Sequence, residues 1–515
     1  MTTPGLSVGD HPPPYGARVL ARSATVNLAG QLVPAAAALA ALPLLARRYP
    51  ADVLGLLTMA WALLGYFSLL DLGLGRALTT RVASRLGAGE PAAIPPLVWT
   101  TSTLLAAVGL AGGALVFFGA GWAVTDALNV PAELVSDARL ATRILAIGLP
   151  FMTIASGLRG LLEARQRFDL VNLIRVPASA LMYLGPAAVL PFSRHLAPAV
   201  AVLVAVRILA CVGYGWCAAR VEPALLRAAA RPADAWREVG GTGIWFTIAN
   251  LASTSIGVLD RLVLGALLPV AAVAYYATPL EAVTKVLVIP AAFTAVMFPA
   301  FSAERVDDSA RLGDYHRRSI RYTFLLMFPV TLAVAALAPE VLSVWLGADF
   351  AANGTAAMRW FSLGVLVNGL ALTPSVFLQA RGAAARVATL QAVEVPLFAG
   401  ALALATLRAG VTGAAAIWCA RAAADFWCLT MLARRAAPGI GKRGWTGVSA
   451  AVGASFLVVG VIGPVSVRLS VLAVVFAVAG AIAWRTSDRA EREATAALWR
   501  RVRGVGPHRD GPEGR

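Results

Sequence analysis

Two pairs of oppositely charged residues lie within strongly apolar stretches of this 515-residue chain. Glu281 and Lys285 are four residues apart in DRLVLGALLPVAAVAYYATPLEAVTKVLVIP (260–290), and Arg421 and Asp425 have the same spacing. On an α-helix, side chains at i and i+4 are neighbours and can form an ion pair. Charged groups are costly inside a bilayer and often mark a functional site. Each pair is therefore either a structural ion pair or part of such a site.

Further basic residues in the apolar stretches predict a partly cationic cavity. Arg207 lies near the middle of its stretch without an acidic neighbour in the sequence, so we expect it to face a wet cavity or an anion. Arg175, in VNLIRVP, can instead extend its guanidinium group to the membrane surface. Guanidinium and ammonium groups attract phosphate and pyrophosphate. We therefore expect Glu281 to hold Lys285 in place and Lys285 to face an anionic cargo.

The full set of candidate site residues adds polar residues of the first and seventh apolar stretches. Asparagine there can bind a substrate, or can equally join two helices by hydrogen bonds. The candidates for substrate contacts are Arg207, Lys285, Glu281, Arg175, Arg421, Asn27 and Asn250. The candidates for ion pairing, or for coupling to an ion, are Asp71, Asp260, Glu394 and Asp425.

The composition predicts the elements that position these residues. The chain is 59% hydrophobic and only 14% charged, whereas soluble domains are close to half apolar and a quarter charged. The excess forms runs long enough to cross about 30 Å of hydrocarbon as helices, without the alternation typical of a lipid-facing β-barrel. We expect an all-α integral membrane protein with about 14 transmembrane helices. The predicted spans are 23–45, 52–70, 96–121, 140–158, 169–190, 197–217, 242–266, 269–299, 321–345, 360–379, 387–406, 411–432, 445–463 and 467–484.

The distribution of basic residues predicts the orientation of these spans. Most of the 44 Lys and Arg residues fall on one side if the N-terminus is cytoplasmic, and cytoplasmic loops are the basic ones. Both termini are therefore expected in the cytoplasm of a multi-pass protein of the cell membrane. The net charge of +17 then reflects topology, and nucleic-acid binding is not expected. The polar, Pro-rich start shows no cleavable signal peptide, so the first span is the expected insertion signal.

A weak internal repeat predicts two related halves. LEAR (162–165) recurs as LQAR (378–381), and each is followed by a span with a Val-Pro step, although the spacing to that step differs between the copies. Parallel repeats of this kind form two pseudo-symmetric lobes around a central cavity. We expect a cytoplasmic segment (1–20), an N-lobe with spans 1–6 (21–240), a C-lobe with spans 7–12 (241–435), spans 13 and 14 (436–484) and a cytoplasmic tail (485–515).

Several function classes are disfavoured by what the sequence lacks. It contains no Walker A loop, no H-E-x-x-H and no G-x-S-x-G, so ATP-driven transport by this chain alone and metal-dependent hydrolysis are not expected. The four histidines lie in predicted loops or tails, and the four cysteines lie in predicted spans as packing residues. The outside loops are too short for the chemistry of a membrane glycosyltransferase or polymerase. We expect no catalytic residue, no cofactor and no metal site.

Two stretches resemble the polysaccharide flippases of the Wzx type. LGLLTMAWALLGYFSLLDLGLGRALTTRVASRL (54–86) resembles their second span, with its DLGL-like run and the Arg-bearing amphipathic turn that follows. WFTIANLASTSIGVLDRLVLGALLPVAAVAYYATP (245–279) resembles their seventh span and its turn into the eighth. The LEAR and LQAR repeats agree as well, and the resemblance covers most of residues 20–435.

These flippases belong to the multidrug/oligosaccharidyl-lipid/polysaccharide exporter superfamily. The resemblance implies two six-helix lobes that open alternately to the two sides of the membrane. It also implies translocation of a polyprenyl-diphosphate-linked oligosaccharide from the inner to the outer leaflet, for cell-surface polysaccharide such as lipopolysaccharide. The implied partners are this substrate, membrane lipid and polysaccharide-assembly proteins, with H+ or Na+ as a coupling ion.

Three alternatives stay open at this point. An ion-coupled multidrug exporter of the same superfamily would need an acidic cavity, which the intramembrane charges do not favour. A lipid II flippase shares the cationic cavity and is poorly separated by sequence. A membrane glycosyltransferase or polymerase is the alternative from another class.

Overall fold

The computed structural model describes residues 17–67, 71, 73–226, 259–303, 309–437, 452, 454–458 and 463–486, and within these it is helical, with no strand. The α-helices of the described ranges are numbered in chain order. They are α1 (Ala17–Arg48), α2 (Ala51–Phe67), α3 (Leu74–Gly87), α4 (Ile94–Trp122), α5 (Val135–Ala164), α6 (Phe168–Val189), α7 (Leu196–Val221), α8 (259–267), α9 (Val270–Thr284), α10 (Val288–Ala303), α11 (Ser309–Ala336), α12 (Ala338–Trp345), α13 (Ala348–Ala380), α14 (Ala384–Ala436) and α15 (Val465–Thr486).

Eight helical segments in the described ranges are long and apolar enough to cross a membrane, which confirms a multi-pass membrane protein. They are Pro91–Ala127, Ala132–Ala164, Phe168–Val189, Leu196–Val221, Val270–Thr294, Leu312–Ala336, Ala348–Ala380 and Ala384–Ala436. Two shorter apolar helices, Ala51–Gly65 and Val465–Ala477, add to them. Most of the predicted spans 242–266 and 445–463 lie outside the described residues, as do residues 1–16 and 487–515.

The longest helix, α14, contains the predicted spans 387–406 and 411–432 as two arms. The arms meet at Ala409 and Gly410, whose backbone is not helical. Gly410 has a φ of 56°, a conformation that costs glycine little because it has no Cβ. The break folds the second arm back, so the sequence was correct in separating two spans here.

The repeated LEAR and LQAR segments form the same turn. α5 ends at Ala164 and α13 ends at Ala380. In both cases a three-residue turn follows, which ends at Arg167 or Ala383, directly before the next helix. Between them, Gln166 has a φ of 58° and Gly382 a φ of 76°. The backbone N–H of Arg167 donates to the carbonyl oxygen of Leu162, and that of Ala383 donates to the carbonyl oxygen of Leu378. The two copies of the repeat therefore share a turn geometry as well as a sequence pattern.

Several predicted boundaries are wrong. The first helix begins at Ala17, six residues before the predicted span 23–45. The predicted loop at 346–359 is a short turn, since Gly347 (φ 108°) ends one helix and an Ala-rich segment starts α13 at Ala348. His316, expected in a loop, is buried in α11 with 2% of its surface exposed.

Candidate functional site

Glu281 lies at the centre of a group of four polar side chains, Arg261, Glu281, Lys285 and Tyr183, here called the Glu281 cluster. Lys285 Nζ lies 2.5 Å from Glu281 Oε1, as the i,i+4 spacing predicts, although α9 ends at Thr284 and Lys285 begins a 3-10 turn. Arg261 Nη2 donates to Glu281 Oε2 over 3.2 Å. Tyr183 donates its hydroxyl proton to Glu281 Oε1 over 2.5 Å. The carboxylate is thus shared by two cations and a phenol.

The Glu281 cluster joins helices that are distant in the sequence. Tyr183 lies on α6, and its ring is 5.2 Å from the Trp61 ring of α2. Trp61 Nε1 donates to the carbonyl oxygen of Met182 over 3.0 Å, which fixes the indole beside α6. Lys285 Nζ lies 5.2 Å from the centre of the Tyr183 ring, at a cation–π distance. The cluster therefore joins α2 and α6 of the first half of the chain to α8 and α9 of the second half.

A second carboxylate, Asp260, supports the cluster from its buried side. Asp260 is fully buried and accepts the backbone N–H of Arg261 over 2.7 Å and the Tyr276 hydroxyl over 3.1 Å. The Tyr276 ring packs edge-on against Phe361, with the ring centres 4.9 Å apart. Buried polar groups of this kind are stable only when they are hydrogen-bonded. Asp260 thus anchors α8 to α9.

One side of the cluster is open. The Glu281 and Lys285 side chains keep 21% and 24% of their surface exposed, whereas Asp260 and Tyr276 keep none. Part of the surface of both side chains is therefore accessible beside α9. Lys285, the more exposed of the two cations, can bind an anion there.

Arg421 contacts Glu394 rather than its sequence neighbour Asp425. Arg421 Nη1 lies 3.8 Å from Glu394 Oε2, across the two arms of α14, and its guanidinium group lies 5.7 Å from the rings of Phe398 and Trp418. The fold of α14 at Gly410 brings these arms together, which the i,i+4 rule does not consider. Both oxygens of Glu394 and Oδ1 of Asp425 are buried without a hydrogen-bond donor in the described structure.

The two basic candidates of the first half lie apart from the Glu281 cluster. Arg207 lies on the face of α7 that also carries the buried residues Leu203 and Cys211, and its Nε is buried without a hydrogen-bond partner in the described parts of the chain. Arg175 is exposed and donates to Asn172 Oδ1 over 2.7 Å. A Cβ at Gly30 of α1 would lie 3.5 Å from Arg175 Nη2, so the guanidinium group faces α1.

The remaining candidates have simpler surroundings. Asp71 Oδ1 accepts the backbone N–H of Gly73 over 3.0 Å, in the turn that precedes α3. Gly73 has a φ of 67°, and an Asp two residues earlier is typical of such a turn. Asn250 lies outside the described residues, and so does the side chain of Asn27.

The end of the bundle that carries the α1–α2 turn is held together by inter-helix hydrogen bonds, and is here called the closed end. Asp52 Oδ1 accepts the backbone N–H of Ala271 at the start of α9 over 3.1 Å. Asn129, between α4 and α5, donates from its backbone to Gly265 over 3.0 Å and from Nδ2 to Ala266 over 2.9 Å. The α8–α9 turn is therefore bonded on both sides to elements of the first half.

Close backbone approach adds to this closure. A Cβ on Gly55 would lie 2.2 Å from the carbonyl oxygen of Val270, so only glycine allows α2 to approach α9 this closely. Trp345 Nε1 of α12 donates to the carbonyl oxygen of Leu39 of α1 over 3.1 Å. The closed end is therefore held by contacts of α2 with α9 and of α1 with α12.

An apolar cavity of about 650 Å³ lies beside α9, between α1, α11, α12 and α13. The only charged residue in its lining is Glu340, and the core residues Val283 and Met358 also line it. Arg468 of α15 donates to both oxygens of Glu340, over 2.5 and 3.1 Å. Burial alone would raise the pKa of Glu340, but these hydrogen bonds lower it below its usual value.

Sequence reasoning found Glu281 and Lys285 but missed Tyr183, Arg261 and Trp61. The pair is local in sequence, whereas Tyr183 is 98 residues from Glu281. Arg261 follows Asp260 near the end of the predicted span 242–266, so the sequence indicates a local acidic neighbour rather than Glu281. An intramembrane tyrosine carries no comparable charge signal.

With this geometry in view, comparisons with known proteins define the family. Residues 45–353, more than half of the chain, match the model of the family described as "Polysaccharide biosynthesis protein". A curated relative from Shigella flexneri, named "Putative O-antigen transporter", is 25% identical over 415 residues, which are 79% of this chain and 96% of the relative.

Solved structures share the fold at low sequence identity. The lipid II flippase MurJ in an inward closed conformation has a TM-score of 0.66 at 10% identity, covering 91% of this chain and 99% of that one. An inward-facing multidrug resistance transporter of the MATE family has a TM-score of 0.63 at 16% identity, covering 80% and 95%. The protein thus belongs to the polysaccharide biosynthesis protein family, and its resemblance to the Wzx-type flippases of the multidrug/oligosaccharidyl-lipid/polysaccharide exporter superfamily is confirmed.

Proposed function

We propose that this protein moves a polyprenyl-diphosphate-linked oligosaccharide from the inner to the outer leaflet of the cytoplasmic membrane. The observation that carries the proposal is the Glu281 cluster, where Lys285 and Arg261 share one carboxylate within apolar helices and Lys285 keeps 24% of its side chain exposed. The ammonium group of Lys285 suits a diphosphate, because it can donate charge-assisted hydrogen bonds to its oxygens while Arg261 balances the charge of Glu281. The family match and the O-antigen transporter relative support a saccharide-linked cargo.

The proposed architecture extends the described helices to about 14 spans. It has a six-helix N-lobe (21–240), a six-helix C-lobe (241–435) and two further spans (436–484), with both termini in the cytoplasm. The matching turns at Gln166 and Gly382 support two related halves. The cargo head occupies the space between the lobes, near Lys285.

Alternating access is the proposed mechanism. In the predicted orientation, the closed end faces outwards, so the described state is closed to the outside. Asp52 and Asn129 then hold the outer side shut, and their hydrogen bonds must break before cargo leaves. Because each bond is a single, solvent-competed one worth about 1 kcal/mol, the transition can be reversible.

We also propose that Glu394 and Asp425 couple transport to protons or Na+. Both residues lie on apolar arms of α14, where carboxylates are costly and often mark a functional site. Both oxygens of Glu394 and Oδ1 of Asp425 have no hydrogen-bond donor among the described residues, so a bound proton or cation would satisfy them.

Other groups near this acidic pair set its local charge. Arg421 is the nearest cation, at 3.8 Å from Glu394. Cys428 lies on the same arm of α14, and Asp260 and Tyr276 lie beyond Arg421. Two carboxylates beside one guanidinium group leave one negative charge to be balanced.

A deletion strain tests the proposed function and separates it from the alternatives. Loss of the surface glycan, with the lipid-linked precursor trapped at the inner leaflet, is the expected result. A normal glycan with raised drug sensitivity would instead indicate a multidrug exporter. Loss of glycan with single repeat units accumulating outside would indicate polymerisation, and arrested peptidoglycan synthesis would indicate a lipid II flippase.

A further inference from the structure

We infer that Glu281 is an internal counter-anion that the phosphate group of the cargo displaces, and that its displacement releases Tyr183 and with it a contact between the two halves of the chain. This inference rests on the proposed function, and it concerns how binding is transmitted. It follows from the hydrogen bonds of the Glu281 cluster.

The two oxygens of Glu281 have different partners. Oε1 accepts from Lys285 (2.5 Å) and from Tyr183 (2.5 Å), whereas Oε2 accepts from Arg261 (3.2 Å). Lys285 also lies 3.3 Å from the Tyr183 hydroxyl oxygen. An anion that binds Lys285 therefore competes with Glu281 Oε1, and both donors to that oxygen are affected together.

Displacement does not leave Glu281 without a partner. Arg261 can keep its bond to Oε2, and only 12% of the Arg261 side chain is exposed, so it stays close to the carboxylate. An uncompensated buried charge would be costly, but here one cation remains with the carboxylate while the other turns to the ligand. The exposed quarter of Lys285 is the part that a ligand can reach.

Tyr183 connects this exchange to the inter-half contact. It lies on α6, beside Trp61 of α2, whereas Glu281 lies on α9. When Oε1 turns away, the Tyr183 hydroxyl loses its acceptor within the cluster. Binding of a phosphate group is therefore coupled to loosening of the α6–α9 contact, with no need for a separate sensor.

Purified full-length protein in nanodiscs, with inorganic pyrophosphate as the probe, tests the inference. Glu281→Gln removes the competing charge, and the expected result is about tenfold tighter pyrophosphate binding, the effect of about 1.4 kcal/mol. Lys285→Ala should abolish binding. Glu133→Gln, which makes the same change on an exposed turn, is the control and should bind like the parent protein.

Distance measurements test the second part. Spin labels at Phe192 and Val344, exposed positions on the two halves, should separate when pyrophosphate binds to the parent protein. Tyr183→Phe should show the separated distances without pyrophosphate, because the bond to Glu281 is absent. Unchanged or weaker binding by Glu281→Gln, or Tyr183→Phe distances equal to those of the ligand-free parent, would overturn the inference. If the parent still flips the lipid-linked substrate, the proposed function stands.

Discussion

The hydroxyl group of Tyr183 lies 2.5 Å from Oε1 of Glu281 and thereby joins helices α6 and α9 across 98 residues of sequence. This bond lies in the cluster that also contains Lys285 and Arg261. We infer that the same carboxylate takes part both in ligand binding and in the contact between α6 and α9.

Lys285→Ala should reduce transport at least about tenfold, since it removes a charge-assisted contact worth roughly 1.5–3 kcal/mol. Lys285→Arg should retain part of the activity because the charge remains. Arg207→Ala should also reduce transport. Transport of the lipid-linked substrate is measured at matched expression, with Arg194→Ala, an exposed loop residue, as the control. Normal transport by both alanine variants would show that the cationic-cavity hypothesis is wrong at these positions.

Asp52→Ala should favour opening of the closed end. The variant loses the acceptor for the N–H of Ala271 at the first turn of α9, and such a cap contributes about 1 kcal/mol. A cysteine introduced at the buried Val270 should then react about fivefold faster with an impermeant maleimide. Asp126→Ala, an exposed carboxylate, should leave the rate unchanged. An equal rate in both variants would argue against Asp52 as a gate residue.

Arg468→Met should lower the stability of the protein by about 2 kcal/mol, because Glu340 loses a buried bidentate partner. The pKa of Glu340 is lowered in the folded state, so this stabilisation is present above its ordinary value of 4.5. It is lost as the pH falls through the lower, folded-state pKa. Thermal unfolding in detergent should therefore separate the variant from the parent protein by more at neutral pH than in acid, where the variant lacks only the bonds of Arg468 to the carbonyl oxygens of Ala336 and Gly463. A difference that is independent of pH would contradict this account.

Gln166→Gly should stabilise the protein by about 0.5–1 kcal/mol. Gln166 has a φ of 58°, a conformation that costs a non-glycine residue about 1–2 kcal/mol. Glycine removes this cost, but part of the gain is offset because glycine makes the unfolded chain more flexible. The matched change Gly382→Ala, at the equivalent turn with a φ of 76°, should destabilise by about 1 kcal/mol. Thermal unfolding of the pair should shift in opposite directions, and a shift in the same direction would be inconsistent with the repeat.

Glu394→Gln together with Asp425→Asn should make transport less dependent on pH or on the Na+ gradient. The change removes both groups that can hold the coupling ion, whereas Arg421 remains in place. Transport into vesicles is measured with imposed proton or Na+ gradients, and Asp314→Asn, on the predicted cytoplasmic surface, is the control. A response to the gradient as large as that of the parent protein would exclude these two carboxylates as the coupling site.

Local rules predicted the parts of this structure that depend on neighbouring residues. Hydropathy gave most helices, and the i,i+4 rule paired Glu281 with Lys285. The same rule paired Arg421 with Asp425, whereas the fold of α14 at Gly410 brings Glu394 to Arg421. Tyr183 and Arg261 complete the cluster through tertiary contacts, and no spacing in the sequence indicates these.

The central claim is tested most directly by translocation in proteoliposomes. Purified protein and the Lys285→Ala variant are reconstituted with a polyprenyl-diphosphate-linked oligosaccharide that carries a fluorescent sugar. The amount exposed to an external quencher is followed over time. The account predicts protein-dependent translocation by the parent protein and a loss of at least about tenfold in the variant. No translocation by the parent protein, or equal rates for the two, would contradict it.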